Sequence, residues 1–279
     1  QDGRVLEVTT QVGERELVAV RRLEEVVVAH DGGRLKLEPA VLASGRVEAA
    51  LWWAGEQLLG FAALYDFGPP DVEIAGMVAP QSRRQRIGTA MLDALLPRAR
   101  ERGFSRALLV TPAATSAGRA FAEWRAAELS HSEHFLALGS TPEAQPVRAG
   151  LSTRSAVEAD LETLSRLLGA AFGSERLADN LRRDLPATQV IELDGVPVGT
   201  LRLERDEERV GIYGFAVDPA WQGQGIGREV LGMTCRDLRA DGGERVTLEV
   251  ETENAHALGL YTALGFVPEA GEDYWALGL

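Results

Sequence analysis

From Val217 to Val230 the chain reads VDPAWQGQGIGREV, glycines alternating with side chains just before a helical pattern begins. Glycine lets the backbone take angles that other residues avoid and approach a ligand closely. If Gln222, Gly223, Gln224, Gly225, Ile226 and Gly227 form a loop opening a helix, with Arg228 in the first turn, their successive amides make a cradle for phosphate oxygens. Such a cradle needs no lysine, and none lies nearby. A nucleotide P-loop requires Gly-Lys-Ser/Thr, which is absent. A dinucleotide fingerprint requires GxGxxG after the first strand of a parallel βαβ unit; the pattern here is GxGxG behind an antiparallel hairpin. The plain alternative is a glycine-rich turn with no ligand.

A second constellation follows in LEVETENAHALGLYTALGF, Leu248 to Phe266. Asn254 precedes an apolar helix and is by type an N-cap. Tyr261, near the end of that helix, offers a phenol that could pass a proton to a leaving group, or pack helix against sheet. Cys235 falls on an apolar stripe with Leu231 and Leu238, where a thiol is inert. His131, His134 and His256 lack the spacing of a metal site, and no metal is expected.

The elements that must position these residues are legible around them. Helical periodicity runs over 160–172 and 175–185. Strands are expected over 190–193 and 198–203, joined by the hairpin signal Asp194-Gly195, and over 210–217. A helix from Gly225 to about Ala240 is expected to stop at Gly242-Gly243, followed by a strand over 246–251, a helix over 255–264 stopped by Gly265, and a returning strand toward Tyr274 and Trp275. The first half repeats the plan: a hairpin at Gly55-Glu56, a strand to Val78, helices over 88–102 and 118–129, and a strand over 107–110 between them. Trp52 and Trp53, adjacent on a strand, point to opposite faces, so only one is core.

The two halves are copies. Gly60 matches Gly199, Pro80 matches Pro219, Ile87 matches Ile226 and Gly88 matches Gly227, at one constant spacing of 139 residues. A period this long means a duplicated domain rather than a solenoid. The Pro- and Gly-rich stretch GSTPEAQPVR reads as a linker at 139–148, separating a first domain at 1–138 from a second at 149–279.

The loop Q-x-x-G-x-G preceded by FAVDP, together with strand, Asn, helix, Tyr and Gly-Phe, resembles the acyl-CoA signatures of the GNAT acetyltransferase family, and the tandem layout with PQSRRQRIGTAM is similar to its two-domain, mycothiol synthase-like branch. The resemblance implies an α+β fold twice over, each copy a mixed, mostly antiparallel sheet with flanking helices. It implies acetyl-CoA as donor and a small-molecule amine as acceptor, in the second half. Phe215, Ala216 and Val217 would offer backbone groups to the pantetheine arm, Gln222 to Arg228 would hold the diphosphate, Asn254 would bond the pantetheine, and Tyr261 would protonate the departing thiolate. That branch carries a general-base glutamate on the strand before the loop, where this chain has Gly211; Glu249, Glu251, a water or no base at all are the alternatives. In the first half Arg86 replaces Gly225, a long side chain where backbone must approach diphosphate, and Tyr261 maps to Ala122 or Phe121. That half reads as catalytically silent. A non-catalytic acyl-CoA-binding protein is the competing reading for the whole chain.

Composition narrows the partners. The 279 residues carry a formal charge of −13, with 29 Lys and Arg against 42 Asp and Glu. A nucleic-acid partner would need a basic stripe and is not expected. The charge suits steering of a cationic amine, or simple solubility. No apolar run reaches the roughly 18–20 residues that span a bilayer, so no membrane partner is expected. The start shows no basic segment followed by an apolar one, and no leader is expected. A single cysteine forms no intrachain disulfide, which fits a cytoplasmic setting.

Overall fold

Short runs of alternating buried and exposed residues, punctuated by glycine turns, become strands; runs with apolar residues three and four apart become helices. In the computed structural model, which describes residues 3–38, 41–42, 47–68, 70–172, 178–205, 209–241 and 245–279, the elements are β1 (Arg4–Thr9), α1 (Glu14–Asp31), β2 (Glu48–Ala54), β3 (Gln57–Tyr65), β4 (Asp71–Val78), α2 (Ile87–Glu101), β5 (Arg106–Pro112), α3 (Ser116–Trp124) and β6 (Glu128–Leu138). Then come β7 (Leu151–Ser155), α4 (Leu161–Phe172), α5 (Ala178–Asp184), β8 (Thr188–Leu193), β9 (Val196–Arg205), β10 (Arg209–Val217), α6 (Ile226–Ala240), β11 (Arg245–Glu251), α7 (Ala255–Ala263) and β12 (Phe266–Gly278). The chain divides into two units: 1–133 with 270–279, and 134–269. The sequence reading, 1–138, 139–148 and 149–279, follows chain order. The units differ from it in giving the last ten residues to the first unit and His134 to Leu138 to the second.

In the first unit β1, β2, β3 and β4 form an antiparallel meander. β5 joins β4 in parallel, and Glu272–Gly278 of β12 closes β5 antiparallel. Successive β3 residues face opposite sides. A Cβ on Gly60 would lie 2.7 Å from Ile87 and 3.0 Å from Met91, so α2 covers that face. Tyr65 looks the other way, toward α1, where Glu24 acts on it. The α1 stripe Val20, Leu23 and Val27 is buried. Burial of one such side chain contributes about 1.5–3 kcal/mol. Trp53 is core, and Trp52 is half-buried.

The second unit repeats this order. β7, β8, β9 and β10 are antiparallel, β11 pairs with β10 in parallel, and the end of β6 flanks β11. The β8–β9 turn puts Asp194 and Gly195 at φ 51° and 77°, both positive, as a tight primed turn requires. The buried stripe of α4 is Leu164, Leu167 and Leu168, and that of α6 includes Val230, Leu231, Cys235 and Leu238.

Most expected elements are present within a residue or two. The helix expected over 118–129 ends at Trp124, because Ala126 takes φ 59° and breaks the winding; Leu129 lies in β6. The Gly242-Gly243 stop and the start of the helix expected at Glu175 lie outside the described residues.

Candidate acyl-transfer site

In each unit the two parallel strands pair for only part of their length. β10 meets β11 from Arg209/Arg245 to Ile212/Leu248, and no pairing is seen beyond it among the described residues. Tyr213 to Val217 run on past that point. A one-residue irregularity between Tyr213 and Ala216 shifts the register against β9, with Gly214 at φ 54°. Phe215, Ala216 and Val217 therefore lie on the stretch of β10 that has left β11, the geometry that presents backbone groups to an extended arm.

The loop from Gln222 to Gly227 is built by two left-handed glycines, Gly223 at φ 75° and Gly225 at φ 84°. Gly225 caps α6, so the first helical amides, those of Ile226, Gly227 and Arg228, have no acceptor within the helix. The Gln222 side chain ties the loop back to the Val217 carbonyl at 2.8 Å, and Gln224 Nε2 donates to the Ala220 carbonyl at 3.4 Å. Ile226 is buried beneath the loop. A Cβ on Gly227 would stand 3.2 Å from the Phe215 ring, so the helix start packs directly against the end of β10. Arg228 is exposed.

Arg148 braces this loop and no sequence signal marks it. Its Nη2 donates to the Gln224 carbonyl at 2.5 Å and to Glu229 Oε1 at 2.5 Å, and its amide donates to Glu229 Oε2 at 3.0 Å. The guanidinium holds the Glu229 carboxyl below its usual range.

Asn254 is the N-cap of α7, its Oδ1 accepting from the Ala257 amide at 3.0 Å. Tyr261 is 8% exposed and meets Phe266 edge-on, ring centres 6.1 Å apart. Burial pushes its phenol up to about 12. Cys235 is fully buried, its thiol pushed up by burial to about 12, as an inert core position requires.

Gly211 is occupied in an unexpected sense. A Cβ there would lie 2.3 Å from Cε2 and 2.9 Å from the hydroxyl oxygen of Tyr213, whose ring lies over the glycine. The Arg202 guanidinium sits 5.5 Å from that ring centre and pairs with Asp184. Tyr213 thus fills the space that a side chain at 211 would need. Glu249, half-buried, and Glu251, exposed, lie on the adjacent β11.

The first unit holds a matching loop. Arg84 and Arg86 take φ 63° and 65°, the same left-handed conformation as Gly223 and Gly225, and Arg86 caps α2. The turn thus keeps its shape with arginine in place of glycine. A non-glycine residue held left-handed costs roughly 1–2 kcal/mol. Arg83 is bound to Asp31 through both nitrogens, at 2.9 and 2.5 Å, and to the Val78 carbonyl. Where β4 and β5 part beyond Ala75/Val110, a largely apolar cavity of about 450 Å³ opens. It is lined by Met91 of α2 and Phe121 of α3, and by Val27 and Asp31 of α1. Ala122, in the place of Tyr261, is buried.

The profile of the Acetyltransferase (GNAT) family matches residues 22–125 and again 157–266. The chain belongs to the GNAT acetyltransferase family. It is 31% identical over 287 residues to the mycothiol acetyltransferase of Thermomonospora curvata, covering 95% of both chains, and 32% identical to that of Kineococcus radiotolerans, covering 93% of this chain and 92% of the relative. Among solved structures, a GCN5-related N-acetyltransferase from Sphaerobacter thermophilus superposes with a TM-score of 0.80 at 17% identity, over 100% and 96% of the two chains. A tandem GNAT protein from the clavulanic acid biosynthesis pathway gives 0.73 at 16%, over 98% of each. This acetyltransferase is therefore a tandem α+β GNAT protein and an enzyme of acyl transfer, and none of its helices is long and apolar enough to cross a membrane among the described residues.

Proposed function

We propose that this acetyltransferase moves an acetyl group from acetyl-CoA to a small-molecule amine, in the repeat read from the sequence as residues 149–279. The observation that carries the reading is the loop in which Gly223 and Gly225 turn the backbone so that the first amides of α6 stand clear of the helix. A diphosphate fits such a site without a lysine. The departing strand end at Phe215 to Val217 takes the pantetheine arm, and an amide there meets the oxyanion. The amine attacks the thioester carbonyl, the carbon–sulfur bond breaks, and Tyr261 hands its proton to the thiolate. Asn254 serves as helix cap, its amide nitrogen facing the arm. Calorimetry with acetyl-CoA, CoA and NAD tests the donor: acetyl-CoA and CoA are expected to bind and NAD not to. Binding of NAD alone would refute it.

A second reading, an acyl-CoA-binding protein without turnover in this half, is favoured by one observation. The Tyr213 ring lies over Gly211, the position where the family resemblance calls for a general-base carboxylate. Coupled thiol release with a panel of amines decides between the two.

A further inference from the structure

The registers of the two units disagree by one residue in the middle of the repeat. In the second unit Gly211 stands opposite Glu204 on β9 and Thr247 on β11. In the first unit the residue in that place, opposite Tyr65 on β3 and Leu108 on β5, is Glu73. The constant spacing hides this: it maps Gly211 to Val72, because β10 carries an extra residue that β4 lacks. The glutamate missing from the second half is present in the first.

Its surroundings are built. Strand pairing puts Tyr65, Glu73 and Tyr274 on the face that α1 covers. Lys36, the chain's only lysine and 9% exposed, lies 3.2 Å from Glu73 Oε2 and donates to the Tyr274 hydroxyl at 2.7 Å. That hydroxyl donates to Glu133 Oε2 at 2.5 Å. The ammonium also stands over the rings of Phe67 and Tyr274, at 5.9 and 5.1 Å. Directly across from Glu73, Tyr65 is 1% exposed and its hydroxyl has no hydrogen-bond partner among the described residues. A buried hydroxyl without a partner is rare, and a polar ligand beside it would satisfy it.

The cavity offers the other substrate a path past Leu35 and Ile74, the chain neighbours of Lys36 and Glu73. It passes through the opening between β4 and β5, touching α2 and α3 on one face and α1 on the other. Glu73 lies two residues before Ala75, the last paired position, about 7 Å along the strand. At the outer end the exposed Arg84 and Arg86 flank the start of α2.

We propose that the first unit holds a second acyl-transfer centre, in which Glu73 is the base for a small primary amine attacking an acyl-CoA thioester threaded between β4 and β5. The bound ammonium gives one proton to Glu73, directly or through one water, and Glu73 releases it to solvent. The nitrogen lone pair forms the carbon–nitrogen bond and the carbon–sulfur bond breaks. The second nitrogen proton passes to the thiolate through water, since Ala122 offers no phenol. The Lys36 charge beside Glu73 favours the neutral amine, and the Tyr65 hydroxyl is left to bond the acceptor.

The test uses the full chain in a Gly225→Asp, Tyr261→Phe background, which removes both the donor loop and the acid assigned to the other half. Acetyl transfer to an amine panel is expected to persist there. Adding Glu73→Gln is expected to lower kcat at least 100-fold, with KM for acetyl-CoA within about twofold. Arg86→Asp, an exposed change that spares the core, is expected to raise KM for acetyl-CoA about fivefold or more. Residual turnover indifferent to Glu73→Gln overturns the proposal, as does loss of all turnover in the Gly225→Asp, Tyr261→Phe background, or no turnover of any amine by the wild type. Should Glu73→Gln fail to fold, an unchanged KM in Arg86→Asp overturns it by itself. If the Gly225→Asp, Tyr261→Phe background changes nothing and Glu73→Gln removes everything, this centre stands and the assignment to the second half falls.

Discussion

Gly211→Ala isolates the contact that separates the second unit from a carboxylate-bearing site. The added carbon would stand 2.3 Å from Cε2 of Tyr213, more than 1 Å inside ordinary contact. Either the ring swings or the strands part, and overpacking of this kind costs about 1–3 kcal/mol. A swinging ring also leaves the Arg202 guanidinium, 5.5 Å away, worth about 0.5–1 kcal/mol. Against this, alanine restricts the unfolded chain and returns about 0.4–1 kcal/mol. The net expected loss is about 1–2 kcal/mol. In a Tyr213→Ala background the collision disappears, and Gly211→Ala should stabilise by about 0.4–1 kcal/mol. The coupling in the four-protein cycle is then about 2 kcal/mol, read from urea unfolding of the full chain. A Gly211→Ala protein as stable as the wild type, or a coupling under about 0.5 kcal/mol, would show that the ring does not occupy this space. Tyr213 would then not be what keeps a side chain out of position 211.

Tyr261→Phe keeps the ring and removes the hydroxyl, so kcat of the second-half activity should fall about 10- to 1000-fold with little change in donor KM. A phenol near 12 opposite a thiol near 8.5 places the effect at the lower end of that range; a change under about twofold leaves Tyr261 a packing residue. Arg148→Ala frees the Gln224 carbonyl and Glu229, and acetyl-CoA affinity by calorimetry should weaken about 3- to 10-fold; unchanged affinity means the brace does not shape the loop. Cys235, with its thiol near 12, carries about one thiolate in 10⁴ at pH 8, so a disulfide reagent should react with it only after denaturation. Glu229, Asp218 and Asp160 are all held low by arginine partners, so their stabilisation is complete above about pH 5 and is lost as pH falls through their depressed folded values. Melting temperature should be flat above that pH and drop below it.

The glycine loop and the elements around it are legible because their signals are local: Asp194-Gly195, the run to Gly225, the Asn254 cap and the Gly265 stop each act within a few residues. The helix α1 went unread although Val20, Leu23 and Val27 carry its stripe, since Glu and Arg dominate its other faces. Three functional features lie beyond any local pattern. Arg148 reaches the loop at Gln224 from 76 residues away by chain position, set by the fold alone. Tyr213 and Gly211 share a face by simple alternation, yet only the ring's rotamer lays one over the other. Glu73 is hidden by a compensating pair of changes, an extra residue before β4 and an irregularity within β10, which restore the spacing at both ends while shifting the middle. Arg84 and Arg86 mislead in the opposite direction, because side-chain type argues against a left-handed turn that the surroundings enforce.

Residues 270–279 belong to the first unit, and this sets an order of completion during synthesis. On the ribosome β1 to β5 emerge early, but β5 has no antiparallel neighbour on its outer side until Glu272–Gly278 are made. At about 5–20 residues per second, the first unit waits some ten seconds or more with an open strand edge. Tyr274 and Glu272, which furnish partners for Lys36 and Arg34, arrive in the same final stretch. The polar chamber around Glu73 is therefore completed only once Glu272 and Tyr274 have emerged, and a chain cut before Glu272 would present a first unit without it.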